Sequence, residues 1–347
     1  MKYIFAFLIL SAALFSACSS EEKVINPVST SEKILVATDE LQPKLKVFEL
    51  PELKELSSDL MKNDFGLDIK TPIEYIADFG GHYYILVPGD FKIFVVRKID
   101  MSLITTIDFT ADQYQPNGIV FVENDADAYI IHKNSVYATL LDLTNFVASK
   151  NITVGNPPHS IAISGNQIYV TNYPDNTVSV IDIRDRKVVA VINTEPKPAF
   201  VKMTADGKTA VCLTIGLGKS EIPEIKTPAF IQYIDIATRV IFESHELGFA
   251  QILSTEQIPM GLAVTQKDWG FVPTQDNLLR FDLRLRDRIN LVIKRNFYFI
   301  SNDVKNNRLL LLRTNGDGTE IMFADDKSGA IKELYTLPYK VKFVHPY

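Results

Sequence analysis

The residues that could do chemistry in this chain are few and scattered. No histidine stands at metal-ligand spacing from another histidine or a cysteine. No Ser-His-Asp order, paired-carboxylate motif or cofactor fingerprint stands out, although a triad assembled in space leaves no mark in sequence order. The sequence therefore predicts no catalytic residue, no metal ligand and no cofactor. The five histidines are His82, His132, His159, His245 and His345.

Two short motifs resemble ligand loops but lack essential positions. Gly216–Ser220 ends like a phosphate loop, but Leu213 stands where the pattern needs a glycine. The segment Asn315–Gly318 suggests a calcium loop, but the first and last positions of an aligned EF-hand would be Arg313 and Ala324. Neither of these two residues carries a carboxylate. We therefore interpret the first motif as part of a loop and the second as a tight turn.

The elements that must position any site are short β-strands, most clearly in the middle of the chain. Apolar and β-branched runs at Ser160–Ser164, Gln167–Asn172, Thr177–Ile183 and Lys187–Ile192 are separated by Gly, Asn, Asp and Pro. Four strands in about forty residues are typical of one blade of a β-propeller.

Two markers predict further copies of this blade. Acidic residues that could hydrogen-bond into the turn after a third strand occur at Glu49, Asp100, Asp142, Asp182, Asp235, Asp282 and Asp325. Prolines precede predicted first strands at Pro72, Pro116, Pro158, Pro198, Pro259 and Pro338. An unmarked copy near Phe297–Ile300 brings this second series to seven. Six or eight blades stay possible, because the sequence around 296–337 is divergent.

The two ends of the series predict how the ring closes. Only one strand, Lys340–His345, can follow the last proline, whereas Ile34–Thr38, Leu45–Leu50 and Leu53–Leu56 precede the first one. A blade made from both ends would protect the free sheet edges. We therefore predict an all-β fold, a seven-bladed β-propeller over residues 32–347, closed by a mixed N- and C-terminal blade.

One blade resembles a known repeat family. Ile168–Asn172 reads Ile-Tyr-Val-Thr-Asn, and Asn176–Asp182 and Asn156–Ala162 continue the same pattern. Together these segments resemble the YVTN family of β-propeller repeats. The full match covers this one blade, and elsewhere only the strand pattern remains. The resemblance implies the fold more strongly than any function.

The residues before the propeller resemble a lipoprotein leader. An apolar run at Ile4–Phe15 is typical of a signal peptide over residues 1–17 and is too short to span a bilayer. The small residues before Cys18 resemble a lipobox, in which Cys18 is lipidated. Glu21 and Glu22 resemble a signal for the outer cell surface, and residues 18–31 would form a flexible tether. Ordinary secretion and a merely solvated linker are the alternatives.

In a propeller, the loops leading into first strands and the loops between second and third strands open on one face. The second of these loop types carries an insertion at Ile215–Pro228. Aromatic and amide side chains around this mouth suit a polar organic ligand or a protein loop. The alternative is that these loops are polar only because they are solvated, with His159 bonded within its own loop. The predicted ligand-binding residues are Asn117, His159, Tyr173, Asp175, Asn176, Met260, Gln275, Tyr298 and Tyr339.

Composition argues against two other classes of protein. The chain has 347 residues, of which 46% are hydrophobic, and a formal net charge of −6. This acidic excess argues against a nucleic-acid-binding protein. The only two cysteines, Cys18 and Cys212, are too few for a disulfide framework. Cys212 lies among apolar neighbours and is predicted to be a buried hydrophobic residue.

These features predict a non-catalytic lipoprotein of the outer membrane, at the cell surface or on the periplasmic face, whose propeller binds a small ligand or an envelope partner. Lipoproteins with similar propellers include ligand-capture subunits of TonB-dependent transporters, some of which bind cobalamin. The resemblance therefore implies such a transporter as a partner, while no residue points to cobalamin. The alternatives are a lyase- or dehydrogenase-like envelope enzyme, with a metal or cofactor near His159, and a scaffold or adhesion protein.

Overall fold

A computed structural model describes residues 32–123, 126–217, 227–248, 261–274, 277–286 and 289–347. These residues belong to one compact unit, Glu32–Tyr347. They form seven four-stranded antiparallel sheets, each of which is one blade of a β-propeller. The predicted seven-bladed, all-β fold is therefore confirmed. Three predicted functional residues, Cys18, Met260 and Gln275, lie outside the described residues.

Six blades contain four consecutive strands each. Blade 1 consists of β4 (Tyr75–Phe79), β5 (His82–Val87), β6 (Lys92–Arg97) and β7 (Leu103–Asp108). Blade 2 consists of β8 (Pro116–Phe121), β9 (Asp127–His132), β10 (Tyr137–Asp142) and β11 (Val147–Thr153). Blade 3 consists of β12 (Pro158–Ser164), β13 (Gln167–Asn172), β14 (Thr177–Asp182) and β15 (Lys187–Asn193).

The other three of these blades continue the series. Blade 4 consists of β16 (Pro198–Met203), β17 (Thr209–Thr214), β18 (Ala229–Asp235) and β19 (Val240–Gly248). Blade 5 consists of β20 (Ala263–Val264), β21 (Trp269–Pro273), β22 (Leu278–Asp282) and β23 (Ile289–Ile293). Blade 6 consists of β24 (Phe299–Asp303), β25 (Arg308–Asn315), β26 (Gly318–Asp325) and β27 (Ile331–Leu337).

The terminal blade joins both ends of the described chain. Its strand order is β28 (Val341–Pro346), β1 (Glu32–Thr38), β2 (Leu45–Leu50) and β3 (Lys54–Ser57). Since β28 occupies the place of a first strand, the mixed blade is confirmed. The helical segments described are α1 (Leu60–Asn63) and a 3-10 turn at Pro88–Asp90, and neither has the length needed to span a bilayer.

Burial along the strands explains their sequences. The second strands are covered on both faces, so that β9 is buried at every position and reads as an almost continuous apolar run. The fourth strands are more exposed than the second strands, and β27 alternates between partly buried and exposed residues. The innermost strands are the first strands, or β28 in the terminal blade, and they surround the central channel.

Apolar residues from neighbouring blades share each core. One such core combines Tyr129 and Ile131 of blade 2 with Ile168, Val170 and Ile181 of blade 3. Because a single blade cannot bury both of its faces alone, each blade depends on its neighbours on both sides.

The acidic marker of the third strand is confirmed in five blades. Strands β10, β14, β18, β22 and β26 end at an aspartate, and its carboxylate accepts backbone N–H groups of the following turn, as in the 2.7 Å bond from Thr238 N to Asp235 Oδ1. Two assignments of the marker are wrong. Asp100 lies in the turn after β6, which ends at Arg97, and Glu49 lies one residue before the end of β2.

Three of these turns connect neighbouring blades through an arginine. Arg186, Arg239 and Arg286 each stand four residues after the aspartate and adopt positive φ angles of 50°, 62° and 55°. The guanidinium group of Arg186 lies 2.7 Å from Asp127 of blade 2, and Arg239 Nε donates to Gln167 of blade 3. Each arginine therefore reaches back to the preceding blade, as Arg286 also does toward Glu243.

Candidate functional site

Three innermost strands contain the same irregularity where they reach the mouth. The pairing of first and second strands shifts by one residue at Asn117 in blade 2, at His159 in blade 3 and at Ala199 in blade 4. Each is the residue directly after a leading proline. Such β-bulges redirect a side chain out of the regular alternation of the strand. The prolines therefore mark a repeated structural position at the mouth.

The side chains at this position contact the next blade of the ring. Asn117 Nδ2 donates to the carbonyl oxygen of His159 at 3.1 Å, and His159 Nδ1 donates to the carbonyl oxygen of Ala199 at 2.6 Å. Tyr298 precedes β24, and its hydroxyl group donates to Val341 O at 2.6 Å. Asn117, His159 and Tyr298 therefore hold neighbouring innermost strands together. For His159, the bond lies between blades and not within its own loop.

An aromatic cluster surrounds His159 at the mouth. The imidazole ring stacks on Tyr173, with centroids 5.5 Å apart and planes inclined by 28°, and meets the edge of Phe200 at 5.4 Å. The ammonium group of Lys197 lies 5.3 Å from the centre of the Tyr173 ring. His159, Tyr173 and Phe200 are each half-buried. The cluster therefore presents flat apolar surface beside a positive charge.

Hydrogen bonding and burial fix the protonation of His159. Because a carbonyl can only accept, the Nδ1 atom must carry the proton and Nε2 has the lone pair. Burial lowers the pKa of His159, the bond to Ala199 raises it, and the charge of Lys133 lowers it again. The histidine is therefore a neutral imidazole near neutral pH. Its Nε2 atom has no hydrogen-bond partner among the described residues and can accept a bond from a ligand.

Two of the other predicted site residues have structural roles in the loops of blade 3. Asp175 Oδ2 accepts the N–H of Asn156 at 2.8 Å. Asn176 adopts a φ of 55°, and its Oδ1 accepts the N–H of Lys197 at 2.8 Å. The polar groups predicted to bind a ligand thus connect the loop between the second and third strands with the loops on either side of it.

Tyr339 lies apart from the His159 cluster. Its ring faces the ammonium group of Lys46, a residue of the third strand of the terminal blade, at 4.5 Å. Its hydroxyl oxygen is buried and makes no hydrogen bond among the described residues. Burial raises the pKa of Tyr339, and the charges of Glu55 and Glu40 raise it further. The predicted residues therefore do not form a single cluster: those of blades 2 and 3 come together, whereas Tyr298 and Tyr339 pack at the core cluster of the terminal blade.

Sequence reasoning missed several charged residues at the mouth. Glu74 occupies the position of His159 in blade 1 and pairs with Lys133 of blade 2. In the terminal blade the bulged residue is Lys342. The leading prolines are misleading here, because Pro72 and Pro338 stand two and four residues before the bulge position. Pairing the first strand with the second strand, residue by residue from the end of the second strand, would have identified both residues.

No group of three or more potential metal-ligating residues occurs within the part of the chain that the structure describes. Cys212 is buried, as predicted, and burial raises the pKa of its thiol to about 12. A thiol with so high a pKa is not a nucleophile near neutral pH.

Comparison with known proteins supports the fold. No family model matches the chain, and no curated protein matches it. A hydrazine synthase structure from Kuenenia stuttgartiensis is 17% identical, with a TM-score of 0.60 over 72% of this chain and 76% of that chain. A protein from Lactobacillus plantarum is 12% identical, with a TM-score of 0.66 over 91% of this chain and 99% of that chain. At such identities the likeness concerns the fold alone.

Proposed function

We propose that this chain is a non-catalytic lipoprotein whose propeller binds a small organic ligand, or an envelope partner such as a TonB-dependent transporter, at the mouth of its channel. The observation that supports this function best is the half-buried cluster of His159, Tyr173 and Phe200 with Lys197 beside it. Aromatic faces next to a few polar groups are typical of sites for organic ligands.

The tautomer of His159 would set the direction of one hydrogen bond to the ligand. An imidazole held in one tautomer offers a fixed acceptor, Nε2, next to the Tyr173 ring. A ligand with a flat group and a hydrogen-bond donor would use both features at once. The proposed anchor is the lipid on Cys18, which would place the propeller at the outer membrane, at the cell surface or on the periplasmic face.

Ligand capture tests the binding function. The full chain, purified in detergent, is incubated with a metabolite extract, washed, and analysed by mass spectrometry for retained compounds. We expect one compound class to be enriched and to be lost in Tyr173→Leu, which removes the ring that stacks on His159. The matched control is Tyr335→Leu, because Tyr335 is a half-buried tyrosine on the outer strand β27. Equal retention of the compound by both variants would show that it binds away from Tyr173.

A pull-down from outer-membrane extract tests the partner function with the same two variants. Recovery of a transporter by wild type and Tyr335→Leu, but not by Tyr173→Leu, would support a partner at the mouth. If neither a metabolite nor a membrane protein is retained by wild type, the proposed function is wrong.

Detergent partitioning tests the anchor separately. We expect the wild-type chain made in a Gram-negative bacterium to enter the detergent phase and Cys18→Ser to remain in the aqueous phase, because one acyl-modified cysteine supplies the membrane affinity. Cys212→Ser serves as the control, since Cys212 is buried in the propeller. Identical partitioning of the wild type and Cys18→Ser would exclude the lipid.

A further inference from the structure

Two lysines on the innermost strands have no ion-pair partner among the described residues. Three acidic residues lie on these strands or directly before one, and each has an ion-pair partner from a neighbouring strand or turn. The pairs are Glu74 with Lys133, Asp78 with Lys98, and Asp303 with Arg308. Lys202 on β16 and Lys342 on β28 have neither an ion pair nor a side-chain hydrogen bond among the described residues.

Lys202 lies in the channel wall. It stands near the end of β16 that points away from the mouth, paired with Val211, and the adjacent Val201 is fully buried between blades 3 and 4. Lys202 itself is only half-buried. An innermost strand has the rest of its blade on one side and a neighbouring blade on each face, which leaves the channel and its opening opposite the mouth as the open space beside Lys202.

The other innermost strands carry uncharged residues at the level of Lys202. In blades 1 to 6 the residue at this position is paired with the third residue of the second strand, and in the other five of these blades it is small. The corresponding residues are Ala77, Val120, Ala162, Ala263 and Ser301. In the terminal blade it is His345, whose ring packs on Phe343 and Tyr83. Among the described blades, Lys202 is therefore the one charged group at this level of the channel.

The charges also differ along the channel axis. Lys342 occupies the bulge position at the mouth, and Lys202 lies three positions further along its strand. Asp78 and Asp303 lie near the opposite ends of β4 and β24 and are neutralised by their partners. The described innermost strands therefore carry two lysines without ion-pair partners, Lys342 at the mouth and Lys202 further toward the opposite end, and such cations attract anions.

Holding Lys202 in this place costs stability. Burial lowers the pKa of Lys202, because the charged form loses solvation and no described carboxylate replaces it. A half-buried ammonium group that has no ion-pair partner among the described residues loses solvation without a compensating contact there. A bound anion would supply the missing counter-charge.

We propose that the central channel binds the anionic group of a small ligand, a phosphate or a carboxylate, through Lys202 in the channel wall, with Lys342 adding positive charge at the mouth. The inference rests on the proposed ligand-binding function and specifies the charge of the ligand. The aromatic cluster at His159 would then hold the organic part of the same molecule.

Titration with inorganic phosphate tests the anion site directly. Binding to the full chain in detergent is followed by ³¹P line broadening and by the phosphate-dependent rise in melting temperature. We expect saturable binding that weakens roughly tenfold in Lys202→Met, the loss of one charge-assisted contact, and is largely restored in Lys202→Arg. Lys342→Met should weaken binding less, because Lys342 is nearer to bulk solvent.

The variant's own stability separates a binding role from a structural one. Without phosphate, the melting temperature of Lys202→Met should be roughly 2 °C higher than that of wild type, because an unpaired charge has been removed. The control is Lys208→Met, which removes an exposed lysine in the turn between β16 and β17 and should change neither property. Unsaturable phosphate binding, or equal binding by Lys202→Met, would overturn the anion site.

The two proposals fail in different ways. If metabolite capture yields an uncharged ligand that Lys202→Met retains, the anion inference is wrong and the proposed function stands. If nothing is captured from extracts but phosphate binds through Lys202, the anion site stands and the proposed ligand or partner function is wrong.

Discussion

The side chains that make the blade 3 repeat recognisable have structural roles. Tyr169 is fully buried, and its hydroxyl lies within hydrogen-bond distance of Gln167 Oε1 and, in the next blade, Ile236 O. Thr171 Oγ1 accepts the N–H of Ser160 next to the bulge at 2.9 Å. These residues are selected by the geometry of a blade, which explains why the YVTN resemblance predicts the fold and leaves the ligand open.

Asn172, the last residue of that motif, requires a glycine opposite it. A Cβ atom on Gly155 would lie 2.4 Å from Asn172 Cγ, and Asn172 Nδ2 donates to Ser179 Oγ at 2.9 Å. We expect Gly155→Ala to reduce the free energy of unfolding by about 2 kcal/mol through overpacking. In an Asn172→Ala background the same change should cost much less. Urea unfolding of the four proteins in this cycle measures the coupling, and additive effects would contradict it.

A buried histidine predicts acid sensitivity. His132 is fully buried between Phe109 and Tyr114, with Nε2 2.9 Å from Thr139 Oγ1, and burial lowers its pKa to about 4. The unfolded chain binds a proton near pH 6.5, whereas the folded chain does so near pH 4. The contribution of His132 is therefore fully present above pH 6.5 and is lost as the pH falls toward 4, up to about 3 kcal/mol.

His132→Phe tests this expectation, because a phenyl ring fits the same aromatic surroundings. Urea unfolding at pH 7 and pH 4.5 should show a smaller acid loss for the variant than for wild type. His345, whose pKa burial also lowers to about 4, keeps its own contribution in both proteins. An unchanged pH dependence in His132→Phe would contradict the prediction.

At the scale of elements, three of the turns after third strands combine a positive φ angle with an inter-blade contact. Arg186 adopts a φ of 50° and contacts Asp127 of the preceding blade at 2.7 Å. Arg186→Ala and Arg186→Gly both remove that contact, but glycine adopts a positive φ without a steric penalty. We expect Arg186→Gly to be more stable than Arg186→Ala by about 1 kcal/mol in urea unfolding. Equal stability would mean that the turn relaxes to negative φ.

The elements were predictable from the sequence because their signals are local. Turn aspartates such as Asp182 end the third strand in five blades, and prolines precede six of the seven predicted first strands, so the number of blades and the mixed terminal blade follow from counting. The site was less predictable. His159 meets Phe200 and Ala199 of the next blade, and such contacts depend on the register between strands rather than on spacing along the chain. Lys342 was missed for the same reason.

At the scale of the whole molecule, one arginine joins the terminal blade to blade 6. Arg308 contacts Asp303 at 2.8 Å and Glu333 at 3.4 Å, pairs with Glu32 of β1, and lies 3.6 Å above the Phe323 ring. Burial raises the pKa of Glu32, which the charge of Arg308 opposes. This group of charges directly connects the terminal blade and blade 6.

We expect Arg308→Gln to lower the free energy of unfolding by about 3 kcal/mol, because it leaves the buried Asp303 carboxylate without its ion-pair partner. Arg313→Gln is the matched control on the same strand, since Arg313 pairs with Glu320 and is more exposed. Thermal unfolding of both variants measures the difference. Equal losses would show that Arg308 is no more important than an ordinary surface pair.

The position of β28 has a consequence for biosynthesis. This strand is the innermost strand of its blade but the last of the ring to leave the ribosome, and its partner β1 is the first. Until translation passes residue 346, β1 keeps an unpaired edge that can pair with other nascent chains. Lys342 arrives with the same strand, so an incompletely synthesised chain would lack both the closed ring and part of the proposed anion site.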